Sequence, residues 1–188
     1  YISVIEIGGA YAHHFYKFLD FLELKTLIIT DLDSTEPIRG EKGIRNNACL
    51  TSRGKYSSNV GIRNWFNKSN DNVDLAEIRA KKPSEKIEGV RRIAFQIDED
   101  DKKCCGRSFE DAFIIANPTL FGITEKVGSL LEEKAYYEAE KYEKKKTDFA
   151  IKHAIDTANW EVPLYIKEGL IWFGEAMPKR LRRTNMPD

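Results

Sequence analysis

The chain has 188 residues, enough for one domain that buries a sizeable core without disulfide staples. Thirty Lys and Arg balance thirty Asp and Glu, so no global basic field argues for nucleic acid and any such site must be local. Three cysteines, Cys49, Cys104 and Cys105, form no CxxC pair and make a poor disulfide frame, and no apolar run reaches membrane-spanning length, so a reducing cytoplasm and no membrane are expected.

Ile2 to Ile7 reads as a buried strand and Gly8-Gly9 as a turn. Ala10 to Leu22 reads as a helix with Tyr11, Phe15, Phe18 and Leu22 on its buried stripe. Thr26 to Thr30 reads as a second apolar strand. This order predicts an α/β fold with a parallel sheet and helices on its faces. Residues 34–59 are polar, rich in turn signals and without period, which predicts a long functional or mobile loop. Ser58 or Asn59 is placed to cap a short helix over VGIRNWF. Residues 81–89, with Pro83, form a charged connector, and Arg91 to Ile97 a third strand. Ser108 to Asn117 follows as a helix, with Phe109, Ala112, Phe113 and Ala116 at core spacing. Residues 132–146 are almost all charge and tyrosine. They read as a solvated helix laced by pairs such as Glu140–Lys144, with a DNA-facing arm as the alternative. Two amphipathic helices, over 148–158 and 163–176, close the chain. The chain opens on Tyr1 rather than Met, which suggests the C-terminal part of a longer protein.

Three carboxylates raise a chemical question. Glu6 ends the first expected strand, and Asp31 and Asp33 end the second. That edge of an open parallel sheet is where ligands bind. Residues two apart on an extended segment face the same way, which puts Asp31 and Asp33 toward one point with Glu6 beside them. Ionised carboxylates cannot share a dry crevice unpaired, because they repel and desolvation is costly. A hard divalent cation such as Mg²⁺ resolves the conflict, and two such ions form a clamp for phosphoryl displacement. The competing reading is a turn, since Asp-x-Asp-Ser often begins one.

The stretches VIEIGGAYAHHF, LIITDLDS, GRSFEDAFIIAN, KTDFAIKHA and VPLYIKEGLIWF resemble the Toprim domain of OLD-family (overcoming lysogenization defect) ATP-dependent nucleases. The resemblance runs from Ile2 to about Phe173. It implies one Toprim domain over 1–188, Rossmann-like, with a parallel sheet flanked by helices and a variable helical part at about 120–146. It also implies a DNA endonuclease, nicking by way of two Mg²⁺ or Mn²⁺ ions, and in many members a role in phage defence. The implied partners are DNA and an N-terminal ABC-type ATPase domain or subunit, with homo-oligomers formed through that ATPase. Carried over by position, Glu6, Asp31, Asp33 and Glu110 are catalytic metal ligands, with Asp111 beside them. The late lysine falls on Lys146, with Lys144 and Lys145 as neighbouring choices. The chain departs from the pattern at Ser57-Ser58-Asn59, where the family has Thr-Ser-Asn. It also lacks GxxxxGK[ST], so ATP hydrolysis by these residues is not expected.

Each residue also has a bland reading. Ser108-x-x-Asp111 resembles a capping box, and acids such as Glu110 suit a helix's first turn. Lys146 sits in a solvated lysine run, although a lysine beside the metals would stabilise charge on a phosphate in flight. His13 and His14 point about 100° apart on a helix and do not chelate together. His153 and the cysteine pair read as structural. Basic residues cluster locally, with Arg39, Lys42, Arg45, Arg53, Lys55 and Arg63 against the single acid Glu41. This run adjoins the DxD strand and is a candidate DNA contact. Lys179, Arg180, Arg182 and Arg183 form a second basic patch. Two rival functions stay open. DLDST also fits the DxDx[ST] motif of haloacid-dehalogenase-type phosphatases, and a non-catalytic Toprim module would only dock to an ATPase or sense DNA.

Overall fold

The computed structural model describes residues 2–7, 11–41, 43–68, 73–155 and 159–175. In chain order, a 3-10 turn at Ala12–Phe15 enters α1 (Tyr16–Phe21), followed by β1 (Thr26–Ile29), β2 (Ser34–Gly40), β3 (Gly43–Ala48) and β4 (Tyr56–Ser57). Then come α2 (Val60–Trp65), β5 (Val73–Asp74), α3 (Leu75–Arg79), β6 (Ile87–Glu88) and β7 (Arg91–Ala94). Four helices complete the order: α4 (Phe109–Ala116), α5 (Gly128–Glu140), α6 (Lys146–Ile155) and α7 (Leu164–Gly174).

The strands form two small sheets within an α/β fold. One has the order β1-β7-β6, the other β3-β2-β4-β5. Among the described residues, parallel pairing is confined to β1 and β7, in register from Thr26↔Arg91 to Ile29↔Ala94; the rest is antiparallel. The expected parallel sheet is therefore mixed. β7 is buried at all four positions, as a strand covered on both faces must be. α7 covers one face at Gly169, where a Cβ would come 2.9 Å from Leu27 Cδ1. Ile62 and Trp65 of α2 join Ile28, Leu32, Ile93 and Phe95 in one core cluster. A second cluster unites α4, α5 and α6 around Phe113, Leu131 and Phe149.

Four sequence expectations change. Residues 2–7 form no strand, and Ile2, Val4 and Ile5 are 72%, 93% and 78% exposed. A run apolar on both faces holds as a strand only when both are covered. No described element covers this run, and β1 stands as an edge strand. The first helix is present but turned: Tyr11, Phe15, Phe18 and Leu22 are exposed, while Ala12 and Tyr16 pack on the core. The cause is Arg91, a buried guanidinium that needs a counter-ion. Asp20 meets it at 2.6 and 3.0 Å, and the Tyr16 ring lies 4.4 Å beneath it. Much of the expected loop at 34–59 is an ordered ribbon, because β2 and β3 pair over six positions. The charged helix begins at Gly128 and ends at Glu140, before Lys144. It buries Leu131, Glu132, Ala135 and Ala139, and Glu132 accepts the Ser52 N–H at 2.8 Å. Among the described residues no helix is long and apolar enough to cross a membrane.

Glu99 ties the two halves together and carries a pH signature. Its carboxylate accepts the Leu164 N–H with both oxygens, at 2.9 and 3.1 Å, at the start of α7. Burial pushes its pKa up from 4.5 to about 7, against the opposing pull of that amide. Between those values the folded state keeps a proton that the unfolded chain has released. Its contribution to stability is thus greatest below 4.5 and declines as pH rises toward 7. Asp111, raised from 3.8 to about 7 chiefly by burial, acts with the same sign. Glu99→Gln keeps an acceptor for Leu164 and removes one of the two titrations. In urea unfolding at about pH 5.5 and about pH 8, the variant is expected to lose less stability across the interval than the parent. Equal losses would show that Glu99 does not titrate there.

Candidate active site

Thr30 extends β1 by one more ladder bond, its N–H donating to Ala94 O at 3.0 Å. The chain then turns through Asp31, Leu32 and Asp33 before entering β2. Leu32 is fully buried and anchors the turn, which leaves the two acids half-buried on either side of it. Asp33 has φ 51°, a left-handed conformation that Asp tolerates better than most residues. Its N–H donates to Arg107 O at 3.0 Å, and its carbonyl accepts the Ser58 N–H at 3.1 Å. Such strained non-glycine backbone gathers at functional sites when the surroundings over-determine it.

Three polar side chains fix this turn. Asn59 caps α2 by accepting from Ile62 N at 3.1 Å. Its Nδ2 donates to Asp31 O at 2.7 Å and to Thr30 Oγ1 at 2.9 Å. Ser57 Oγ donates to Leu32 O at 2.7 Å. Gln96, fully buried, accepts from Leu32 N at 2.6 Å and donates to Asp31 Oδ1 at 2.8 Å. Sequence reasoning offered Ser58 or Asn59 as the helix cap and neither as a brace; the structure chooses Asn59. Sequence reasoning missed Gln96, because a single glutamine in an apolar strand carries no spacing signal.

The third acid arrives on α4. Ser108 and Asp111 form the expected capping box: Asp111 Oδ2 accepts from Ser108 N at 3.2 Å and from Arg107 N at 3.0 Å. Asp111 is thus committed to the helix start, while Glu110 faces the acids. Glu110 Oε2 accepts from Ser108 Oγ at 3.0 Å, and its Oε1 lies 3.4 Å from Lys146 Nζ. Gly106 lets this loop close on the helix, since a Cβ there would meet Ala112 N at 2.5 Å. Arg107 reaches toward the turn, 3.6 Å from Asp33 Oδ1.

Charge couples the group. Burial pushes the Asp31 pKa above the usual carboxylate range. The Gln96 bond opposes that shift, Asp33 and Glu110 add to it by repulsion, and Lys146 relieves it. The structure therefore brings Asp31, Asp33, Glu110 and Lys146 into one electrostatic neighbourhood. It does not bring Glu6 there: Glu6 stands exposed on the unpaired residues 2–7. Among the described residues, no three acidic, His or Cys side chains stand at metal-coordinating spacing. The donors nevertheless suit a hard divalent cation, being all carboxylate oxygens with a surplus of negative charge around Asp31.

The other sequence candidates fall as follows. Arg39, Arg45 and Lys55 are exposed on or near the ribbon. Arg53 is exposed but bound to Glu36 at 2.8 Å, and Arg63 is half-buried on α2. Lys42 and the basic tail Lys179, Arg180, Arg182 and Arg183 lie outside the described residues. His153 is buried among Phe113, Phe121 and Phe149, and the three cysteines are free, buried thiols. The hydroxyls of the DLDST run are committed to the fold, Ser34 Oγ to Cys49 O and Thr35 Oγ1 to Tyr56 O.

Comparison with known proteins shows what the chain is similar to. The family model for the overcoming lysogenization defect protein-like TOPRIM domain matches residues 1–33, a stretch that holds Glu6, Asp31 and Asp33. Over 199 residues the chain is 26% identical to Endonuclease GajA of Bacillus cereus (strain HuB5-5), an alignment covering 94% of the chain. Over its first 33 residues the chain is similar to OLD-like Toprim domains. It spans 28% of the length of that relative. No solved structure matches it. The family-model match ends at the DxD turn, and the candidate residues Gln96, Glu110 and Lys146 lie beyond it.

Proposed function

We propose that this Toprim domain is the nuclease part of an OLD-family DNA endonuclease that hydrolyses phosphodiester bonds with divalent metal. The observation that supports the reading is the convergence of Asp31, Asp33, Glu110 and Lys146 at the carboxyl end of the parallel strand pair. Asp31, Asp33 and Glu110 would hold Mg²⁺ or Mn²⁺, and Glu6 enters as a further donor only through its place in the matched stretch. Two bound ions would supply an activated water and a charge clamp on the leaving oxygen. Lys146, 61% exposed at its side chain and paired with Glu110, is free to turn toward a phosphate and offset its extra negative charge. The β2–β3 ribbon, which starts at the residue after Asp33, offers Arg39 and Arg45 to the DNA backbone.

The relative's greater length leaves room for an ABC-type ATPase elsewhere in the full protein, and we assign that partner, homo-oligomers through it, and anti-phage defence to the whole molecule. The test is cleavage of supercoiled plasmid. Nicking with Mn²⁺ or Mg²⁺ and sparing in EDTA are expected. Cutting that persists in EDTA would refute the metal-dependent reading.

A further inference from the structure

We propose that Gln96 is the positioning residue that aims the Asp31 carboxylate, an inference that rests on the metal-dependent reading above. The parallel ladder between β1 and β7 closes with Thr30 N to Ala94 O at 3.0 Å. Beyond Ala94 the backbone leaves the strand. The Gln96 side chain then takes the ladder's place, with Oε1 accepting the buried Leu32 N–H at 2.6 Å. An N–H can only donate, so the amide oxygen must face Leu32 and Nε2 must face the other way. There it donates to Asp31 Oδ1 at 2.8 Å and to Tyr165 Oη at 3.3 Å. Gln96 is fully buried and Tyr165 is 2% exposed, so neither hydrogen-bond direction is exchanged with water.

This one amide does two jobs. Its oxygen holds the turn, and its NH₂ ties Asp31 Oδ1 inward, which leaves Oδ2 as the oxygen for a ligand. An aliphatic residue at 96 would leave the buried Leu32 N–H without an acceptor. A carboxylate there would hold Leu32 but repel Asp31. Glutamine supplies acceptor and donor at the required reach.

The experiment reads Mn²⁺ binding by electron paramagnetic resonance, without DNA, so that it does not depend on cleavage. Gln96→Glu keeps the acceptor for Leu32 and removes the donor to Asp31. The introduced carboxyl then meets Asp31 Oδ1 with no donor between them and repels it from the place the amide fixes. The variant is expected to stay folded and to bind Mn²⁺ at least ~10-fold more weakly than the parent. Gln96→Met is expected to weaken binding by a similar factor; if it does not fold, Gln96→Glu alone decides. Unchanged or tighter Mn²⁺ binding in folded Gln96→Glu overturns the proposal. Tyr165→Phe leaves both decisive bonds intact and is expected to bind as the parent does. A loss there as large as in the Gln96 variants would place the effect in the packing of α7 and also overturn the assignment. Failure of the parent protein to bind Mn²⁺ would overturn the metal reading itself, and this proposal with it.

Discussion

Asp31→Asn is expected to lower plasmid cleavage by at least about 100-fold while leaving the protein as stable as the parent or more so. The two effects have one origin. Asp31 is a buried carboxylate whose ionised form is opposed by burial and by the charges of Asp33 and Glu110. The amide of asparagine is nearly isosteric and still offers an oxygen to Gln96 Nε2, which now lies 2.8 Å from Asp31 Oδ1. Neutralising this position relieves repulsion that only a cation otherwise offsets. The same change removes a metal donor. Disturbing a partner one shell further out commonly costs 10–100-fold, so loss of the donor itself is expected to cost at least the upper end of that range. Plasmid cleavage with Mn²⁺ and urea unfolding in EDTA measure the two effects. A variant that is unstable in EDTA would mean that Asp31 is a structural acid, and a variant that still cuts would remove it from the site.

The second large effect is on DNA affinity. The triple variant Arg39→Ala, Arg45→Ala, Lys55→Ala is expected to weaken duplex binding and flatten its salt dependence. β2 and β3 pair from Thr35↔Ala48 to Gly40↔Gly43 and carry Arg39 and Arg45 on the exposed part of the ribbon. Arg39 lies opposite Ile44 and Arg45 opposite Ile38, so the two arginines alternate between the ribbon's faces. Lys55 follows on the segment leading to β4 and is exposed as well. Arg53 is left out because its guanidinium is already bound to Glu36. If all three cations contact phosphates, the slope of log K against log salt falls by roughly 2.7. Saturating DNA should then restore much of the cutting, because the acids are untouched. Asp33→Asn should do the reverse, keeping DNA binding and losing cleavage at every DNA concentration. An unchanged salt slope in the triple variant would move the DNA contact away from the ribbon.

What the sequence determined by itself was carried by local signals. The carboxylates after TLIIT, the Asn59 cap and the Ser108–Asp111 capping box depend on neighbours within a few residues, and the structure keeps each of them. The cysteines were also legible, because no spacing made them ligands. Tertiary structure decided what depends on distant partners. Buried Arg91, seventy-one residues from Asp20, chose the face that α1 presents, against the apolar stripe. Cross-strand pairing, which has no local code in a polar segment, made a ribbon of the expected loop. In the sequence only the resemblance picked Lys146, with Lys144 and Lys145 as neighbouring choices. In the fold Lys146 is the residue that opens α6, and Phe149 one turn later is locked among Phe109, Phe113 and Phe121, which sets Lys146 beside Glu110. Gln96 carried no signal at all. Its meaning comes from a ladder that ends one residue too soon and from an acid that needs a neutral donor, and both exist only once β1 and β7 have met.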